Sequence, residues 1–158
     1  MTPRCGREDV ADGIPLMLPS YGRIVVVGHY AFFPSKPTWP DSRRSLTYAF
    51  SPLNGTDRVS MAEQRRAFAG AFAQWSAVVP LNFTETGSYP DADIKIEFVS
   101  FSHGDGEPFD GVLGVLAHAF SPTDGRFHLD NSEFWHTFSS GSAATLPQQV
   151  DLQSVVTH

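Results

Sequence analysis

Between His103 and Trp135 the chain gathers three of its six histidines among aspartates and glycines, in HGDGEPFDGVLGVLAHAFSPTDGRFHLDNSEFW. No other stretch limits the fold as tightly. His103 and Asp105 are two residues apart, so an extended backbone turns both side chains to one side. His118 falls in the alternating VLAHAF and His128 in RFHLD, both short strands by pattern. Strands and loops lying beside one another can then bring three imidazoles and one carboxylate together, an N3O set that suits four-coordinate zinc. A lone histidine is more often a surface or hydrogen-bonded residue, but four donors interleaved with glycine turns favour a metal. A second group, Asp110, Asp130 and Glu133, brackets a glycine-bearing loop. Its hard oxygen donors suit calcium, against the plainer alternative of acids in solvated turns.

The rest of the chain reads as one domain behind an extension. Residues 1–44 are rich in proline, glycine and charge, and FFPSKPTWPDSRR suits an exposed, extended linker. Alternation begins at SLTYAF, where Leu46, Tyr48 and Phe50 share one face of a strand. In SMAEQRRAFAGAFAQWSAVV, Ser60 and Glu63 form a capping-box signature. Phe68, Phe72, Trp75 and Val79 then recur at helical spacing, with Gln64, Arg65 and Gln74 left for solvent and Pro80 ending the helix. LNFTE and ADIKIEFVSF read as strands, the second with Ile94, Ile96 and Phe98 on one face. QVDLQSVVTH returns to helical spacing, with Asp151 placed at its first turn.

At 41% apolar and 13% aromatic, the 158 residues can bury a real core. The net charge of −6 gives no basic footprint, so nucleic acid and anionic membrane surfaces are not the expected partners. Ile14 to Val27 is too interrupted to span a bilayer, and the charged MTPRCGREDVADG has no apolar leader core. Membrane attachment stays open, and a monomer is expected. Asn54 and Asn82 lie in Asn-Gly-Thr and Asn-Phe-Thr sequons. That leans towards secretion, with Met1 then not the natural start. The single cysteine, Cys5, forms no internal disulfide.

The motifs HGDGEPFDG, VLAHAF and FHLDNSEFW, with SLTYAF, ADIKIEF and VDLQSVVTH in order, resemble the matrixins, the matrix-metalloproteinase branch of the zinc endopeptidases, and their plant members most closely. PRCG at Pro3 to Gly6 resembles the cysteine switch that closes the matrixin propeptide. The resemblance implies an α+β fold: a metzincin-like N-terminal subdomain with a twisted, mixed, mostly parallel sheet of about five strands. One long helix packs on that sheet and a second, cut helix ends the chain. It implies a propeptide end and linker over 1–44 and an incomplete catalytic domain over 45–158. It assigns structural zinc to His103, Asp105, His118 and His128. It assigns calcium to the carboxylates of Asp110, Asp130 and Glu133 and the main-chain oxygens of Gly111, Leu113 and Val115. Leu116 and Ala117 fall on the edge strand that takes an extended substrate by strand addition. Cys5 would close the catalytic zinc in the latent form, with Arg4 and Asp9 bracing its loop.

His158 matches the first histidine of the family motif H-E-x-x-H-x-x-G-x-x-H, in which two histidines one turn apart hold zinc and the glutamate is the general base. The glutamate and the other histidines are expected beyond the C-terminus, and the 158-residue chain alone is expected to be inactive. Two departures from the family stand out. Arg7 and Glu8 follow the switch where an apolar residue and proline are usual, and the segment from His118 to His128 is short, so no further calcium site is expected there. The principal expectation is a part of a secreted zinc endopeptidase zymogen acting on extracellular proteins. The alternative is a catalytically dead, metal-stapled module that binds peptides or sequesters a protease.

Overall fold

The computed structural model describes residues 35–137 and 148–158. The expectations for Cys5, Arg4 and Asp9 lie outside them. Four parallel strands and one antiparallel strand form the main sheet, in the order β2-β1-β3-β5-β4. They are β1 (Ser45–Phe50), β2 (Asn82–Glu85), β3 (Ile94–Val99), β4 (Ala117–Ala119) and β5 (Arg126–Asp130). Parallel neighbours need long connections, and the helix α1 (Met61–Ser76) supplies the one between β1 and β2. Only β4 runs against its neighbour, β5. A second sheet joins two three-residue strands, β6 (Phe134–His136) and β7 (Gln149–Asp151), in parallel. The helix α2 (Leu152–Thr157) follows directly.

The capping box forms as the sequence predicts. The Ser60 hydroxyl accepts from the Glu63 amide, and the Glu63 carboxylate accepts from the Ser60 amide at 2.9 Å. Phe68 and Ala71 are fully enclosed between the helix and the sheet. An aromatic ladder ties the layers: Phe72 stacks on Phe83 of β2 at 4.5 Å, while Phe68 meets Phe50 of β1 and Phe127 of β5 edge-on. The α1 glycine, Gly70, faces α2, where a Cβ would meet the end of the Gln153 side chain.

Three details differ from the sequence reading. Gln64 is buried, because its amide nitrogen donates to the Val59 carbonyl at 2.9 Å and so satisfies the loop before the helix. Trp75, expected on the core stripe, is 42% exposed, and its indole nitrogen caps the Thr157 carbonyl of α2 at 2.9 Å. The helix stops at Ser76, before Pro80, where Val78 and Val79 turn back to the Trp75 carbonyl. The strands β6 and β7 had no signal of their own. Three residues each are too few for periodicity to show, and their pairing joins distant parts of the chain.

Before β1, Arg43 bonds the buried Asp93 carboxylate at 2.6 Å, and that carboxylate also accepts from the Thr47 amide and hydroxyl. This knot fixes how the chain enters the sheet. No helix among the described residues is long and apolar enough to cross a membrane.

Candidate metal centre

Sheet register places the histidines. His118 of β4 stands directly opposite His128 of β5, and both side chains point to the same face of the sheet. The loop after β3 carries His103 and Asp105 over that face, turning at Gly104 and Gly106 with φ of +88° and +87°. Such backbone favours glycine, which accounts for the residues flanking Asp105. Among the described residues, these four are the one gathering of three or more histidine, cysteine, aspartate or glutamate side chains whose donor atoms all lie within 4.8 Å.

Asp105 Oδ2 lies 2.8 Å from His103 Nε2, 2.8 Å from His118 Nε2 and 2.9 Å from His128 Nδ1. His118 Nε2 is 3.4 Å from His103 Nε2 and 3.2 Å from His128 Nδ1. Four donors around zinc at ~2.0 Å each stand about 3.3 Å apart, so the cluster has the dimensions of a tetrahedral cage. All four side chains are at most 6% exposed. The Phe101 carbonyl accepts from His103 Nδ1 at 2.8 Å, which leaves the Nε2 lone pair facing the cluster.

The charges agree with ligation. Burial lowers the pKa of His118 and of His128 below the ordinary imidazole value, more strongly than Asp105 raises them, so both rings are neutral at physiological pH. Burial pulls Asp105 the other way, but the Glu107 amide and the imidazoles outweigh it and hold the carboxyl well below its usual range. Neutral rings at His118 and His128 beside an ionised carboxylate are protonation states that suit zinc.

Phe109 was not foreseen as part of this site. It is 4% exposed and stacks on the rings of His118 and His103, with centroids 4.6 and 5.1 Å away. The available signal was a single aromatic residue in DGEPFDG, a run otherwise made of acids, glycine and proline.

The second acidic group is built differently. Leu113 and Gly114, at φ of +59° and +117°, wind the loop so that Val115 N donates to Asp110 at 3.1 Å and Leu113 N to Glu133 at 2.7 Å. A side chain at Gly114 would run into the Asp110 carboxylate. This winding also explains why only Ala117–Ala119 of the expected VLAHAF strand is extended. Asp130 and Glu133 are fully buried, and Asp130 Oδ2 and Glu133 Oε2 have no hydrogen-bond partner among the described residues. Burial raises the Glu133 pKa above its ordinary value, and the charges of Asp130 and Asp110 add to the rise. Buried, unpartnered and mutually repelling carboxylate oxygens fit a hard cation.

β4 is an outer strand of its sheet. Leu116 leads into it and accepts the Asp130 amide through its carbonyl at 2.9 Å, and Ala117 is buried. His158 caps α2, donating its backbone amide to Ser154. Asn54 and Asn82 are both exposed.

Residues 38–158 match the Matrixin family. The chain belongs to the matrixins. Three relatives show the range of likeness. The matrixin is 49% identical to metalloendoproteinase 5-MMP of Arabidopsis thaliana, over 99% of this chain and 43% of that protein. It is 42% identical to metalloendoproteinase 1 of Glycine max, over 100% of this chain and 49% of that protein. It is 38% identical to human matrix metalloproteinase-20, over 88% of this chain and 25% of that protein. The matrixin therefore spans less than half the length of these relatives. Membership in this family implies zinc, and His103, Asp105, His118 and His128 form a group that fits it.

Proposed function

We propose that the chain is part of a secreted zinc metalloendopeptidase zymogen that hydrolyses peptide bonds in extracellular proteins. One observation carries the reading: three imidazoles and a carboxylate converge, at tetrahedral spacing, behind the outer strand β4. A structural zinc at His103, Asp105, His118 and His128 fixes that strand. Calcium at Asp110, Asp130 and Glu133, completed by the carbonyls of Gly111, Leu113 and Val115, braces the loop beside it. An extended peptide then pairs along Leu116 and Ala117 by main-chain hydrogen bonds.

His158 is the first ligand of the catalytic zinc, and Cys5, with Arg4 and Asp9 shaping its loop, is the thiolate that closes that zinc in the latent form. On this reading residues 1–44 are the propeptide end and linker, and 45–158 the first part of the catalytic domain. Bound there, zinc supplies Lewis acidity. These 158 residues hold one imidazole of the motif and no general base, so by themselves they hydrolyse no peptide. Exposed sequons at Asn54 and Asn82 support an extracellular location, as does the word matrix in the name of the human relative. The metal-stapled binding module would use the same outer strand, but the relatives named metalloendoproteinase favour the enzyme.

Metal analysis of the purified chain tests the central point. We expect about one tightly held zinc per chain at neutral pH, and its loss in His118→Ala. Absence of zinc from the unmodified chain after refolding with zinc present would overturn the reading. Hydrolysis of a fluorogenic peptide by the 158 residues alone would refute the inactivity.

A further inference from the structure

The same sheet register that aligns His118 with His128 continues one strand further. On β3, Glu97 is the parallel register partner of His128, so Glu97, His128 and His118 form one row across three adjacent strands. His128 spends Nδ1 on the cluster, 2.9 Å from Asp105. Its other nitrogen, Nε2, faces Glu97 Oε2 at 3.9 Å, beyond a direct hydrogen bond but with the carboxylate the nearest charge to that edge of the neutral ring. Glu97 is itself held, because the Tyr89 hydroxyl donates to its Oε1 at 2.7 Å. His103 shows the same plan with a different outer partner, the Phe101 carbonyl.

We propose that Glu97, braced by Tyr89, is the positioning residue of the zinc cluster: it holds His128 in the form with the proton on Nε2 and the Nδ1 lone pair towards the metal. The proposal rests on the zinc reading of the cluster. Two physical effects follow from the row. An imidazole that ligates through Nδ1 must carry its proton on Nε2, and a carboxylate facing that position favours this tautomer over the other. Zinc with Asp105 as its single anionic ligand also leaves one net positive charge in a site closed to water. Glu97 is the next carboxylate along the row and offsets it. Nothing in the strand pattern announces this role, since Glu97 alternates with Ile96 and Phe98 like any outward-facing polar residue.

The test compares zinc affinity, by competition with a chromophoric chelator, for the full chain and for Glu97→Gln, Glu97→Ala and Tyr89→Phe. Thermal melts of the same proteins without metal run alongside. Glu97→Gln should weaken zinc by about 10–100-fold while leaving the metal-free melt unchanged, because it keeps the size and the Tyr89 contact. Glu97→Ala should weaken it at least as much, and Tyr89→Phe less. Ring nitrogen chemical shifts should place the His128 proton on Nε2 in the zinc-loaded chain. Unchanged affinity in Glu97→Gln, or a loss of affinity in Glu97→Ala that Glu97→Gln fully restores, would overturn the role of the charge. A proton on Nδ1 would overturn the geometry. An unmodified chain that binds no zinc would instead defeat the underlying metal reading, and this proposal with it.

Discussion

At His118 and His128 the fold favours the neutral ring, and that preference has a direction in pH. Above about pH 6.5 the rings are neutral both folded and unfolded. As pH falls below that value the unfolded chain takes up protons that the folded chain resists, because burial has lowered both pKa values. Stability present above pH 6.5 is therefore lost on acidification. We expect the melting temperature of the metal-free chain to drop between pH 7 and pH 5, and zinc to be released over the same interval. A melting temperature that is flat there would contradict the burial. Glu133 has the opposite sign. Its raised pKa means that ionising the carboxyl, as pH rises above the ordinary glutamate range, costs the metal-free fold stability. Glu133→Gln should raise the metal-free melting temperature by about 2–5 °C and abolish any added stability from calcium. Equal calcium responses in the two proteins would refute that site. The four residues of the His/Asp cluster were legible as residue types because they are chemically rare and close in sequence. Glu97 and Phe109 were not, because their importance comes from register and stacking between distant segments.

Among the elements, α1 was the most readable. Its capping box, aromatic stripe and start at Met61 all follow from local rules. What local rules misjudged was each end. Gln64 turns inward to serve the preceding loop, and Trp75 leaves the stripe to meet α2. Both depend on a partner that periodicity cannot see. Gly70 offers a test at this scale. Mid-helix glycine costs about 1 kcal/mol relative to alanine, and the nearest atoms in the way of a methyl group belong to the movable end of Gln153. Gly70→Ala should therefore stabilise the chain by up to ~1 kcal/mol in urea denaturation. A destabilised variant would mean that α2 cannot yield, and that the two helices are packed more rigidly than the Gln153 contact implies. The strand order was legible only as a class. Alternating patterns gave strands and a mostly parallel sheet by resemblance, but β6 and β7 are too short to leave a trace.

Across the whole molecule, stability divides into two regions. The layer of α1 on β1, β2 and β3 is held chiefly by buried apolar and aromatic side chains, whereas the loop from His103 to Val115 has few buried apolar residues, Phe109 being the clear exception. That loop is tied down by the His103, Asp105, His118 and His128 cluster and by the acidic turn. Ligands that bind only the folded state add stability in proportion to the logarithm of their concentration over Kd, about 4 kcal/mol at a thousandfold excess. Chelation should expose this loop to limited proteolysis well before the helix, with first cuts between residues 101 and 116. First cuts in α1 would show that the ions hold the core rather than its rim.

The indole of Trp135 is 3% exposed, lies edge-on to Phe98 and donates to the Asp130 carbonyl at 2.7 Å. It is thus wired to the backbone of a residue whose carboxylate faces the acidic loop. Of the chain's three tryptophans, Trp75 is 42% exposed, Trp39 is half-buried and Trp135 is 3% exposed, so a shift of emission to longer wavelength on ion removal that persists in Trp39→Phe would come chiefly from Trp135. Such a shift would give the molecule its own optical gauge of cation occupancy, with no added label.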